Sequence, residues 1–170
     1  GNVIYTSTFS KLLSPGIRLG WVIGPAPVIR KLSVAKQSVD LNTSVFVQMV
    51  ANEIGRSGFL DEHIQIIRAC YMERRDMMLE TMAEMFPSDA VWTRPEGGMF
   101  LWCRIREDID ASEVFKTAIQ QNVAFVPGEP FFPNGGGKNT MRLNFSFCTP
   151  ETIREGITRL GRVLKQVEYE

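Results

Sequence analysis

Residues 59–86 run for 28 positions without a proline or a glycine, and that run constrains the architecture more than any other feature. Leu60, Ile64, Ile67, Cys70, Tyr71, Met77, Met78, Met82 and Met85 recur along it at helical spacing. Ser57-Gly58 precedes the run and Pro87 follows it, so one long helix is expected over 59–86. Any strands must then fall into two groups, one on each side of this helix. The methionines read as adaptable core filler. His63, the chain's one histidine, has no cysteine or second histidine near it and is read as neither catalytic nor metal-binding.

Ahead of the helix, Val3-Ile4-Tyr5 reads as a short strand and residues 17–23 as a second, nearly all apolar one. Ser14-Pro15-Gly16 between them has turn chemistry, with Pro15 fixing φ and Gly16 expected to accept φ > 0. Gly24-Pro25-Ala26-Pro27 opens a helix to about Gln37, and Asn42-Thr43-Ser44 can cap the next one. Behind the long helix, strands are expected at 90–92, 99–105, 123–126 and 141–147. Asp110-Ala111-Ser112 caps a helix, and Pro150-Glu151 opens a last one with Ile153, Ile157, Leu160, Val163 and Leu164 inward. Residues 134–137 are expected to form a mobile loop. The class is α/β, divided as 1–58, a linking helix at 59–86, and a small α/β domain of three or four strands at 87–170.

Chemistry concentrates in Tyr5-Thr6-Ser7-Thr8-Phe9-Ser10-Lys11, which sets a lysine behind a run of hydroxyls, with Arg18 seven residues on. Hydroxyls and turn N–H groups can donate to a phosphate, and Arg18 can add a bidentate charged pair. Lys11 is then left for covalent work, since a partly desolvated lysine near other cations can form a Schiff base with a carbonyl. A solvated lysine and a surface arginine flanking a hairpin remain the plainer alternative. Arg142, in Met141-Arg142-Leu143-Asn144-Phe145-Ser146, is a lone arginine on a largely apolar strand. Burying a guanidinium is costly without an anion, so either an internal carboxylate or a ligand should meet it. Gly135-Gly136-Gly137-Lys138-Asn139-Thr140 fails as a nucleotide loop, because no hydroxyl follows the lysine directly and Phe132 stands where a glycine belongs.

Thr8-Phe9-Ser10-Lys11 followed by Pro15-Gly16-Ile17-Arg18-Leu19-Gly20-Trp21 resembles the cofactor-lysine motif of class I/II aminotransferases, the fold-type I pyridoxal phosphate enzymes. Within them it is most similar to the aminoadipate/kynurenine aminotransferase branch. Met141 to Ser146 resembles the substrate-carboxylate motif of the same enzymes. Pro95-Glu96-Gly97-Gly98-Met99-Phe100-Leu101-Trp102 and Val126-Pro127-Gly128-Glu129-Pro130-Phe131-Phe132 match small-domain segments near the active-site mouth. The resemblance implies pyridoxal 5'-phosphate as cofactor, Lys11 as the lysine bonded to it, and Thr8, Ser10 and Arg18 on its phosphate. It implies Arg142 on the substrate α-carboxylate, and amino acids and 2-oxo acids as substrates of a homodimer. The implied fold is the C-terminal part of the fold-type I architecture: the last strands of the large-domain sheet in 1–58, the linking helix, and the small domain. In the family a long N-terminal half precedes this lysine, so the chain reads as a C-terminal fragment, expected to be inactive alone. The same motifs occur in MocR-type regulators, where the domain binds pyridoxal phosphate as a sensor.

The 19 basic and 19 acidic side chains balance, giving no electrostatic reason to expect nucleic acid or an anionic membrane as partner. No apolar run is long enough to span a membrane, and no signal peptide is recognisable at the start. Cys70, Cys103 and Cys148 are odd in number and widely spaced, which suggests neither a disulfide framework nor a metal site. A reducing, cytoplasmic compartment is expected.

Overall fold

The computed structural model describes residues 2–167. The chain divides into two compact units at the Ile67/Arg68 boundary, which falls inside the long helix α3 (Phe59–Met85).

In the first unit, β1 (Tyr5–Thr8) and β2 (Gly20–Ile23) form an antiparallel ladder from Tyr5↔Ile23 to Thr8↔Gly20. The first strand thus starts two residues later than expected and runs into the hydroxyl segment. Thr and Ser side chains fit a pleated ladder as readily as the apolar residues before them. Only the last four of residues 17–23 are strand, because Pro15–Ile17 forms a 3₁₀ turn. Pro15 opens that turn, and the Ser14 hydroxyl accepts from the Gly16 N–H at 3.4 Å. Gly16 therefore lies inside the turn, and the left-handed residue that reverses the chain is Arg18, at φ 49°, ψ 41°.

Helix α1 (Ala26–Val39) starts on its prolines and carries a Lys36–Asp40 pair at its exit, 2.7 Å long. Helix α2 (Val45–Arg56) is capped by Ser44, whose hydroxyl accepts from the Val47 N–H at 3.5 Å. Gly58, at φ 80°, separates α2 from α3. Ala51 is the one buried apolar residue of this unit among the described residues. Tyr5, Val22, Ile23, Phe46 and Met49 are exposed: the unit's hairpin and helices bring no second layer over them.

The second unit has a true core. Strands β3 (Val91–Trp92), β4 (Phe100–Arg104), β5 (Val126–Pro127) and β6 (Thr140–Asn144) form an antiparallel sheet in the order β3-β4-β6-β5. The period of two sends Leu101, Cys103, Met141 and Leu143 to one face, where all are buried. Against them pack Met78 and Met82 of α3, Val114 and Ala118 of α4 (Ala111–Gln120), and Ile153, Ile157, Leu160 and Leu164 of α5 (Pro150–Val167). Asp110 caps α4 by accepting from the Ser112 N–H at 2.8 Å. Gly161 lets α5 approach the end of α3, since a Cβ there would sit 2.6 Å from the Met85 carbonyl oxygen. Two arginines of α3 tie down the sheet's connections: Arg74 donates to the Ser146 carbonyl, and Arg75 to the Pro95 carbonyl at 3.1 Å.

β5 is shorter than expected because Val123 belongs to the exit of α4. Asn122 is left-handed at φ 57°, and the Val123 N–H returns to the Ala118 carbonyl at 3.0 Å. Within residues 134–137, Gly135, Gly136 and Gly137 all have positive φ, and a Cβ on Gly137 would fall 2.2 Å from the Phe132 ring.

Candidate active site

The loop joining β1 to β2 is built around Phe9. Its carbonyl accepts from the N–H groups of Leu12, Leu13 and Ser14, its N–H donates to the Leu19 carbonyl at 3.0 Å, and its ring meets Trp21 at 4.8 Å. This closes residues 9–14 into a tight turn with Lys11 exposed in it. Neither Lys11 nor Arg18 therefore sits on a strand; both occupy the connection, held there by the turn and the left-handed bend. Thr8 Oγ1 lies 3.0 Å from the Leu19 carbonyl and 3.0 Å from Ser10 Oγ, and accepts from the Ser10 N–H at 3.1 Å. A hydroxyl has one proton, so Thr8 donates either to the Leu19 carbonyl or to Ser10 Oγ; when it donates to Leu19, the Ser10 hydroxyl donates to Thr8 Oγ1. Thr8, Ser10, Lys11 and Arg18 thus share one compact connection. No ion pair involves Lys11 or Arg18 among the described residues. Residues 1–39 contain five lysines and arginines and no aspartate or glutamate, a local excess hidden by the neutral total.

Arg142 belongs to the second unit, on the sheet face opposite the core. It stands in β6 across from Trp102 of β4 and Val126 of β5. Its guanidinium carbon lies 4.2 Å from the centre of the Phe100 ring and 4.9 Å from that of Phe131. Its Nε is buried and has no hydrogen-bond partner, and no carboxylate pairs with it among the described residues. Of the two partners the sequence allowed for this arginine, an internal acid is absent among the described residues. On the same sheet face a cleft of about 440 Å³ is lined by Trp102, Arg104, Glu107, Phe132, Asn139 and Thr140, among others.

The family model for "Aminotransferase class I and II" matches residues 1–160. The chain belongs to the class I and II aminotransferase family. It is 49% identical over 166 residues to aromatic-amino-acid aminotransferase 1 of Thermococcus litoralis, covering 98% of this chain and 40% of that one. It superposes on the crystal structure of Pyrococcus horikoshii kynurenine aminotransferase, in complex with PMP, with a TM-score of 0.95 and 48% identity, covering 98% of this chain and 41% of the other. The α-aminoadipate aminotransferase of Thermus thermophilus, complexed with N-(5'-phosphopyridoxyl)-L-leucine, gives 0.94 and 42%, with 98% and 43% covered. An HTH-type transcriptional regulator of Bacillus subtilis is 32% identical, over 98% of this chain and 34% of its own. The fold is therefore part of the fold-type I aminotransferase architecture, and the chain spans about two-fifths of the length of these aminotransferases.

Family membership implies pyridoxal phosphate, and the donors of the β1–β2 connection fit that group. That connection carries hydroxyls, a guanidinium and an amine and has no acidic residue in it, the donor types that a phosphate beside an aldehyde requires. The sequence reading placed the segments of Phe100 and Phe131 near the active-site mouth but missed that their rings meet Arg142. The available signal was Pro130-Phe131-Phe132, paired aromatics inside a glycine-rich loop ahead of the lone arginine.

Proposed function

We propose that this chain forms part of a pyridoxal phosphate-dependent aminotransferase that moves an amino group between an amino acid and a 2-oxo acid. Because it spans about two-fifths of its relatives, the activity is proposed for the full-length enzyme containing it, with negligible turnover by these 170 residues alone. Thr8, Ser10 and Arg18 would hold the phosphate, and Lys11 would provide the amine that bonds the cofactor aldehyde. When bound, the cofactor supplies that aldehyde and a ring that withdraws electrons from the substrate Cα. In the full-length enzyme Lys11 Nζ would take the proton from the substrate Cα, and Arg142 would bind the substrate α-carboxylate. The divisions 1–58, 59–86 and 87–170 are proposed as large-domain, linking-helix and small-domain segments.

The observation that carries this reading is the β1–β2 connection. It carries Lys11 and Arg18, both without an ion-pair partner among the described residues, in the same connection as the Thr8–Ser10 hydroxyl pair. The test is to load the full-length enzyme with pyridoxal phosphate, reduce it with borohydride and map the modified peptide. The label is expected on Lys11, and Lys11→Ala should lose both the label and transamination. A label on any other lysine, or undiminished turnover by Lys11→Ala, overturns the assignment.

The three cysteines are free thiols, which supports a reducing, cytoplasmic location, and a homodimer is proposed by analogy with the family. Identity with the B. subtilis regulator favours one second reading, a pyridoxal phosphate-binding sensor domain. DNA binding by the full-length protein that responds to the cofactor, without transamination, would select it.

A further inference from the structure

We infer that Phe100 and Phe131 are positioning residues that orient the Arg142 guanidinium for a substrate carboxylate while consuming none of its hydrogen bonds. This rests on the reading of Arg142 as the carboxylate-binding group.

A cation in a half-buried site needs compensation. A protein carboxylate would supply it, but would also occupy the N–H groups a substrate needs. An aromatic face attracts the cation through its quadrupole and takes up no N–H. Arg142 has the second kind of support: rings at 4.2 and 4.9 Å, a buried Nε without a partner, and no acid paired with it among the described residues. Phe100 comes from β4, where it pairs with Asn144, placing it diagonally from Arg142 on the same sheet face.

Phe131 arrives by a different route, through the loop between β5 and β6. Thr140 ties both ends of that loop: its carbonyl accepts from the Gly128 N–H at 2.8 Å, and its own N–H donates to the Gly137 carbonyl at 3.0 Å. Both ends also need glycine. A Cβ on Gly128 would fall 1.9 Å from Thr140 Oγ1, and one on Gly137 would fall 2.2 Å from the Phe132 ring. Between these ends the 3₁₀ turn Glu129–Phe131 sets the Phe131 ring edge-on to Trp102, at 5.4 Å, and against Arg142. Two independent elements thus converge on one guanidinium.

The test uses full-length, cofactor-loaded enzyme and two probes, read by absorbance titration. 2-Methylalanine carries an amine and a carboxylate but no Cα proton; isopropylamine is the same molecule without the carboxylate. Phe100→Leu and Phe131→Leu keep apolar bulk and remove the π face. Each is expected to weaken 2-methylalanine about fivefold, as loss of a partly desolvated cation–π contact does, and to leave isopropylamine unchanged. Phe100→Tyr, which restores a ring, should return binding to within about twofold of the parent. Arg142→Lys checks the underlying reading and should weaken 2-methylalanine at least about tenfold. If Arg142→Lys does so while both leucine variants bind normally, the positioning role is wrong and the carboxylate reading stands. Equal weakening of both probes in the leucine variants, or no rescue by tyrosine, also overturns the positioning role. If Arg142→Lys binds 2-methylalanine normally, the carboxylate reading itself has failed.

Discussion

Gly137→Ala and Gly135→Ala make the same chemical change two residues apart in one loop, yet the structure assigns them different costs. Both glycines have positive φ, 70° and 81°, where an alanine costs on the order of 1–2 kcal/mol. Around Gly135 nothing lies within 4 Å of the added Cβ, so its cost stops there. At Gly137 the Cβ would meet Phe132 ring carbons at 2.2 Å, where carbon contacts need roughly 3.5 Å or more. The ring must retreat by more than about 1 Å, disturbing its contact with Trp102, which is 6.1 Å between centroids and tilted by 44°. Losing such an aromatic pair costs about 0.5–1.5 kcal/mol, so Gly137→Ala should be destabilised by about 2–3 kcal/mol in total. At an ordinary urea dependence of about 2 kcal/mol per molar, the two variants should differ in midpoint by roughly 0.5 M. Tryptophan fluorescence should shift in the native state of Gly137→Ala only. Equal midpoints, or an unchanged native spectrum for Gly137→Ala, would refute the packing argument and leave backbone strain as the whole effect.

Three further outcomes are expected. Gly156→Ala should stabilise the chain by up to about 1 kcal/mol, because it lies inside α5 with open space around it, whereas Gly161→Ala should destabilise by about 1–2 kcal/mol against the Met85 backbone; urea midpoints moving the same way would contradict this. Arg18→Gly should relieve the left-handed bend at φ 49° while weakening phosphate retention, so thermal stability without cofactor should hold or rise as affinity for pyridoxal phosphate falls at least tenfold, on the order of one lost charged pair. Burial pushes the Cys103 thiol up to about 12 from 9.0, so the unfolded chain ionises it first and stability should fall as pH rises from about 9 towards 12. Cys103→Ser should flatten that part of the pH–stability curve, and the native Cys103 should resist alkylation at pH 8 while Cys70 and Cys148, both partly accessible, react.

Much of the second unit was legible because each of its elements carries a period and a boundary in its own residues. Ile153, Ile157, Leu160, Val163 and Leu164 mark one face of α5, and all five are buried. Met141, Leu143 and Phe145 alternate and reach the core as alternation requires. What was not legible depended on contacts distant in sequence or on backbone geometry. No local rule moves the left-handed residue from Gly16 to Arg18; that follows from Pro15–Ile17 closing as a 3₁₀ turn. Residues 17–23 read as nearly all apolar, yet Val22 and Ile23 are exposed, because hydropathy reports what a side chain prefers and not whether a layer covers it. The rings on Arg142 escaped notice because Phe100 and Phe131 lie 42 and 11 residues away from it, positions 142 − 100 and 142 − 131, on elements whose convergence only the fold supplies.

The two candidate sites leave cations available by different means. Several other arginines of this chain are ion-paired: Arg75 with Asp76, Arg106 with Asp108, Arg154 with Glu84 and Arg159 with Glu155. Around Lys11 and Arg18 the sequence keeps acids away, with none before Asp40. Around Arg142 the acid is replaced by rings that compensate charge without accepting a hydrogen bond. A cation already paired must break that pair before it binds an anion, and the loss subtracts directly from affinity. A cation held by a strained turn or an aromatic pair has no ion pair to break on binding, so only its desolvation is subtracted from the interaction with the ligand. Placing Glu at position 13, beside the Phe9-centred turn, should therefore weaken phosphate binding even though it leaves every proposed ligand in place.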